Sequence, residues 1–120
     1  MTWTFDRDRP IYIQLQEGIT MRIVSGEYAP GERMPAVRDL AAEAAVNPNT
    51  VQRALSELER AGLVYAQRTN GRFVTEETQR ITDAKASLAR ERVRQFLVSR
   101  ALLGVGLDEA AALSTAAVAS

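Results

Sequence analysis

The stretch VNPNTVQRALSELERAGLV (Val46–Val64) admits few structures. Val51, Leu55 and Leu58, with Ala54, recur at helical spacing and form one apolar stripe. Asn47 is a favoured N-cap, which puts Pro48 at the first helical position, where its missing N–H costs nothing. Gly62 closes the helix as a C′ glycine. Opposite the stripe lie Asn49, Gln52, Arg53, Ser56 and Arg60. Such a helix needs apolar partners behind it and a polar target in front of its leading edge.

The flanking sequence supplies the partners. Ile11, Leu15, Ile19 and Ile23 are spaced by four, which predicts an amphipathic helix over roughly Pro10 to Ser25, with Pro10 at its first position and Gly26 ending it. GEYAPGERMP (Gly26–Pro35) is a loop punctuated by Gly and Pro. Val37, Leu40, Ala41 and Ala44 mark a short second helix, and the turn Ala45-Val46-Asn47 joins it to the third. LVYAQRTNGRFVT (Leu63–Thr75) then turns to β-type composition, with Asn70-Gly71 as a type I′ hairpin turn flanked by Arg68 and Arg72. From about Glu76 to Leu103 the chain is helical again, with Ile81, Ala84, Leu88, Phe96 and Leu103 on one side. Gly104-Val105-Gly106 breaks it, and Asp108 is placed to cap a last Ala-rich helix ending near Ala119.

Helix, helix, tight turn, helix and hairpin make a winged helix-turn-helix. The fold class expected is mainly α with a small β-hairpin: a winged helix-turn-helix over residues 1–75, then a short helical dimerisation tail over 76–120. In such a fold the second helix of the pair enters the major groove with its N-terminal residues leading. Asn49, Thr50, Gln52 and Arg53 stand on those turns, where the helix dipole favours phosphate and where Gln52 suits adenine and Arg53 guanine. Tyr12, Tyr65 and Phe73 are read as core, and Glu57 and Glu59 as solvated helix residues. Arg7 and Arg9 are candidates for a basic arm on the DNA backbone. Trp3 receives no assignment.

Composition excludes more than it selects. With no Cys and no His, disulfides, thiolate metal sites and the commonest general base are absent, and no metal or cofactor site is expected. No phosphate loop or serine-nucleophile motif supports an enzyme. Acids and bases balance at 15 each, which argues against a polybasic tail but leaves room for a local basic face, since charges are screened beyond roughly 8–10 Å. No apolar run approaches the roughly 20 residues that span a bilayer. The start MTWTFDRDRP lacks a signal-peptide core, so a cytoplasmic protein with no membrane partner is expected.

Over about residues 8–75 the chain resembles the GntR family of bacterial transcription regulators, through RPIYIQL, GEYAPGERMPAVRDLA, VNPNTVQRALSELERAGLV and NGRFV in the family's order and spacing. NPNTV with a short helical tail is similar to the YtrA subfamily. The resemblance implies a dimeric winged-helix repressor on a palindromic operator, near transport or stress genes. It places DNA contacts on Arg38, on Asn47, Asn49, Thr50, Gln52 and Arg53, and on the wing at Arg68, Asn70, Gly71 and Arg72. Ala36 stands where many members have a Ser cap, and QRTNGRF where a Gly-x-Gly wing is usual. The tail is too short for a large effector domain. Its apolar arc predicts a two-fold interface through Ile81, Leu88, Phe96, Leu103 and Leu107. The competing reading is a winged-helix protein-interaction module without base readout. Neither operator nor small-molecule effector is specified by the residues.

Overall fold

A computed structural model of the chain describes residues 3–119. In order, α1 (Ile11–Val24), α2 (Val37–Ala44), α3 (Pro48–Arg60), β1 (Val64–Gln67), β2 (Gly71–Val74), α4 (Thr78–Leu103) and α5 (Leu107–Ala119) follow one another. The chain divides within α4 into two compact units, one reaching to Ala86 and one starting at Ser87. No single helix among the described residues is long and apolar enough to cross a membrane.

The first unit is the winged helix-turn-helix. Leu15, Ile19 and Ile23 of α1, Leu40, Ala41 and Ala44 of α2, and Val51, Ala54, Leu55 and Leu58 of α3 meet in one core. Leu63, Val64 and Val74 close it from the hairpin, and Ile81 and Ala84 from the first turns of α4 pack against it half-buried. Each such side chain leaves water for about 1.5–3 kcal/mol if large and fully buried.

Two consecutive helices end in the same way. At the end of α3, Leu63 N–H reaches the Leu58 carbonyl (3.0 Å) while Gly62 takes φ +80°. At the end of α2, Val46 N–H reaches the Ala41 carbonyl (3.0 Å), and the left-handed position is Ala45, φ +56°. This 6→1 closure satisfies carbonyls left free at a helix end, and its left-handed residue is usually glycine. Ala45 is the only non-glycine with positive φ among the described residues, so the turn of the helix-turn-helix carries a steric cost that the turn after α3 does not.

Pro10 is the N-cap of α1 rather than its first residue: φ is −56° and ψ 135°, and its carbonyl accepts Gln14 N–H (3.3 Å). No side chain caps α1 there. Instead the buried Gln14 side chain accepts Asp6 N–H (2.7 Å) and donates to the Asp6 and Arg9 carbonyls (2.8 and 2.9 Å). That clasp folds the N-terminal segment onto α1. Further in, Trp3 stacks with Phe5 (5.9 Å between centroids), and Gly18 leaves room for the Trp3 ring.

Arg22 is buried at the junction. It donates to the Tyr28 hydroxyl (2.9 Å), pairs with Glu43 of α2 (3.1 Å) and Glu27 (3.3 Å), and lies 4.5 Å from the Trp3 ring centre. Burial opposes its charge, but Tyr28 and Glu43 outweigh burial and hold the guanidinium above its ordinary pKa. Burial likewise raises the Tyr28 phenol, against the lowering effect of Arg22.

The hairpin pairs Val64 with Val74 through Gln67 with Gly71. The expected type I′ turn at Asn70-Gly71 is not what forms. Arg68, Thr69 and Asn70 make a three-residue loop, Asn70 N–H returns to the Gln67 carbonyl (2.7 Å), and Gly71 alone takes positive φ, +92°. A tight turn followed by one left-handed residue rejoins the twisted strands just as well. The Gly-Pro loop is also more than a loop. Arg33 bridges Phe73, Met34 N–H reaches the Arg72 carbonyl (2.7 Å), and Gly31 N–H the Val74 carbonyl (2.9 Å), so this segment lines the outer edge of β2.

In the second unit, α4 ends at Gly104 (φ +73°), with Val105 N–H on the Arg100 carbonyl (2.9 Å) and the Arg100 guanidinium on the Val105 carbonyl (2.9 Å). The last helix begins two residues earlier than a cap at Asp108 implies. Gly106 accepts Ala110 N–H (2.9 Å) as its cap, and Asp108 lies in the first turn, where its charge meets the helix dipole instead.

Replacing Ala45 by Gly tests the strained turn. It should raise the free energy of unfolding by about 0.5–1 kcal/mol, the left-handed penalty less glycine's entropy. Urea denaturation of the two proteins measures this, and an unchanged or lower midpoint would mean the turn holds no such strain.

Candidate nucleic-acid interface

The third helix is positioned from both sides. Asn47 Oδ1 accepts Asn49 N–H (2.8 Å), which starts the helix, and Pro48 follows at its first position. Its apolar stripe is buried, so Asn49, Gln52, Arg53, Ser56 and Arg60 all stand exposed, with Thr50 half-buried beside them. The leading turns thus offer amides, a guanidinium and the positive end of a helix dipole on one surface.

A shallow hollow of about 310 Å³ opens beside that edge, lined by Ile11, Tyr12, Asn49, Thr50 and Arg53. The Arg53 guanidinium lies over the Tyr12 ring, 3.6 Å from its centre. Tyr12 is therefore half-buried at the surface rather than in the core. Tyr65 also departs from expectation: it is exposed on the hairpin and stacks on the half-buried Phe73 (5.8 Å). Odd and even strand positions face opposite ways, and Val64 and Val74 take the inward side.

Arg38 is exposed near the start of α2. Of the two carboxylates near it in sequence, Asp39 and Glu43, the second is engaged by Arg22. Among the described residues no carboxylate pairs with Arg38, Arg53 or Arg68. Arg68, Asn70 and Gly71 are exposed at the hairpin tip, with Asn70 leaning on Gln67 (3.5 Å). Arg72 is different. It is half-buried and bound to Glu59 of α3, so Glu59 is not merely solvated but ties the wing to the third helix. Of the two arm arginines, Arg9 pairs with Glu17 (2.6 Å) and Arg7 is exposed.

Two residues here escape a sequence reading. Arg33 lies beside the hairpin turn, its Nε 3.3 Å from where a Cβ on Gly71 would sit. Nothing in GERMP announces a strand edge, since the pairing depends on β2. Tyr12 shows only an apolar helix position until α1 is docked on α3.

The description "Bacterial regulatory proteins, gntR family" matches residues 11–74, from the first residue of α1 to the last of β2. The uncharacterized HTH-type transcriptional regulator YhcF of Bacillus subtilis (strain 168) is 38% identical over 105 residues, 88% of this chain and 87% of its own length. The HTH-type transcriptional repressor YtrA of the same strain is 32% identical over 101 residues, 83% of this chain and 78% of its own. A solved GntR family transcriptional regulator from Listeria monocytogenes superposes with TM-score 0.79 at 34% identity, covering 92% of this chain and 97% of the other. The matched span holds the whole frame that presents the leading edge of α3 and the wing, and this chain belongs to the gntR family of bacterial regulatory proteins, DNA-binding transcription regulators rather than enzymes.

Proposed function

We propose that this regulator is a repressor that binds a palindromic operator as a homodimer, with α3 in the major groove and the hairpin wing in the minor groove. One observation carries the reading: Arg38, Arg53 and Arg68 are exposed and unpaired with any described carboxylate, and they sit on the three elements a winged helix brings to DNA. In this reading Asn47, Asn49, Thr50, Gln52 and Arg53 serve the major groove. Arg68, Asn70 and Gly71 serve the wing, while Arg72 braces it through Glu59. The similarity to YtrA, a transcriptional repressor, supports a repressor and the YtrA-like assignment. The site of action is the cytoplasm.

The dimer reading rests on the tail. Phe96 (47%), Leu103 (79%) and Leu107 (61%) stay exposed, as do Leu102 (83%), Leu113 (60%) and Val118 (88%). So many large apolar side chains left in water along one segment are what an interaction surface needs. We assign residues 1–75 to DNA binding and 76–120 to dimerisation, through Leu88, Phe96, Leu103 and Leu107. Ile81, half-covered by its own core, contributes only its outer edge.

Binding to a selected palindrome should weaken steeply with salt, log K falling by roughly 0.9 per phosphate contact for each unit of log salt. Fluorescence anisotropy at several salt concentrations measures the slope. Equal affinity for selected and random duplexes would leave the protein-interaction reading instead.

Arg53→Ala should lower specific affinity by about 1–3 kcal/mol and relax preference at one base pair per half-site. Arg68→Ala should weaken all sequences more evenly. Competition titrations against single-base operator variants separate the two patterns, and an Arg53→Ala protein with parental preference would place the readout elsewhere.

Sedimentation of the full chain should give a dimer at tens of micromolar, and a fragment ending at Ala86 a folded monomer with weak, non-specific DNA binding. Ending at Ala86 keeps Ile81 and Ala84 on the core. A monomeric full chain, or a fragment that still dimerises, refutes the assignment of the tail.

A further inference from the structure

We propose that Tyr12 is a positioning residue for base readout: its ring holds the Arg53 guanidinium as a preset planar fork on the leading edge of α3. The inference rests on the operator-binding reading above, and it concerns a residue of the first helix rather than the recognition helix.

The geometry is specific. The Arg53 guanidinium carbon stands 3.6 Å from the Tyr12 ring centre, well inside the roughly 6 Å over which a ring face attracts a cation. Arg53 is exposed, and no described carboxylate competes for it. A long arginine in that situation samples many rotamers and loses that freedom on meeting a base. Stacking removes part of that freedom beforehand. It also leaves the useful part of the group open, because the five N–H donors lie in the guanidinium plane and the ring covers only one face. The edge remains available for the paired acceptors of guanine.

The platform itself is held. Tyr12 lies in the first turn of α1, next to Gln14, whose side chain makes three hydrogen bonds to the segment before the helix. Leu15, one turn along, is fully buried in the core. Ile11 and Thr50 line the same hollow as the stacked pair. The contact uses the ring face and not the hydroxyl, so phenylalanine should serve and an aliphatic residue should not.

DNA selection with the full chain provides the test, on the parent, Tyr12→Phe, Tyr12→Leu, Arg53→Ala and the Tyr12→Leu/Arg53→Ala double variant. Tyr12→Phe should keep the parental preference. Tyr12→Leu should weaken operator binding by roughly 2- to 30-fold, the worth of such a contact, and relax preference at the base pair that Arg53→Ala relaxes. In the double variant the Tyr12→Leu effect should vanish, since nothing is left to position. Preference unchanged in Tyr12→Leu, or a loss that is uniform over sequences and additive with Arg53→Ala, overturns the inference while leaving the regulator reading intact. A parent that selects no sequence overturns the regulator reading itself and this inference with it. The free protein gives an independent check should Tyr12→Leu fold poorly. In the parent and in Tyr12→Phe the Arg53 side-chain protons should be shifted upfield in NMR spectra by the ring current. Random-coil shifts for those protons would overturn the stacking.

Discussion

The burial of Val51, Ala54, Leu55 and Leu58 against α1 and α2 sets the rotation of α3 about its own axis, and the rest of the molecule follows from that rotation. A helix turned by one residue swings its side chains through about 100°. Asn49, Gln52 and Arg53 then would point elsewhere. Because the stripe is fully enclosed, the polar edge has one orientation only, and the cap at Asn47 fixes where along the helix it begins.

That enclosure depends on parts away from the leading edge of α3. Arg22 joins α1 to Glu43 of α2 and to the Tyr28 loop, with Trp3 over its face. Such a buried cation is tolerated only because Tyr28, Glu43 and Glu27 surround it. The same loop then runs along β2, so the Gly-Pro segment couples the base of α1 to the wing. Glu59 and Arg72 add a second tie between α3 and the wing. Recognition helix and hairpin are thereby braced against each other from two sides. The surface formed by α2, α3 and the hairpin, which we propose reads DNA, holds its shape only if those elements keep their spacing.

The sorting of the arginines has a consequence for an uncharged chain. Formal charges cancel over the whole sequence, yet Arg9, Arg22 and Arg72 are spent on internal pairs while Arg38, Arg53 and Arg68 are not. Net charge therefore says little about this surface. What matters is which cations the fold leaves without an acid, and the screening length keeps the distant acids from cancelling them.

Much of the fold was legible from local chemistry. The period of Leu15, Ile19 and Ile23, the Asn47-Pro48 start and the Gly62 stop act within one or two turns of chain, so they can be read without knowing any neighbour. The leading-edge residues Asn49, Gln52 and Arg53 follow from the same periodicity. Pro10 as a cap, Asp108 inside the last helix and the three-residue hairpin loop differ by one or two positions from what the sequence suggests, because neighbouring registers at an element end are close in energy and packing chooses between them. Long-range pairings were invisible: Arg33 on the strand edge, Arg72 on Glu59, and Tyr12 beneath Arg53. Each joins residues far apart in sequence, and whether two such groups meet is settled by the docking of whole elements. The sequence by itself determined which faces are apolar and where helices start and stop, since those are properties of a few consecutive residues. Only the tertiary structure decided which arginines remain free to reach outward, since that depends on which acids and rings the packed core brings within reach.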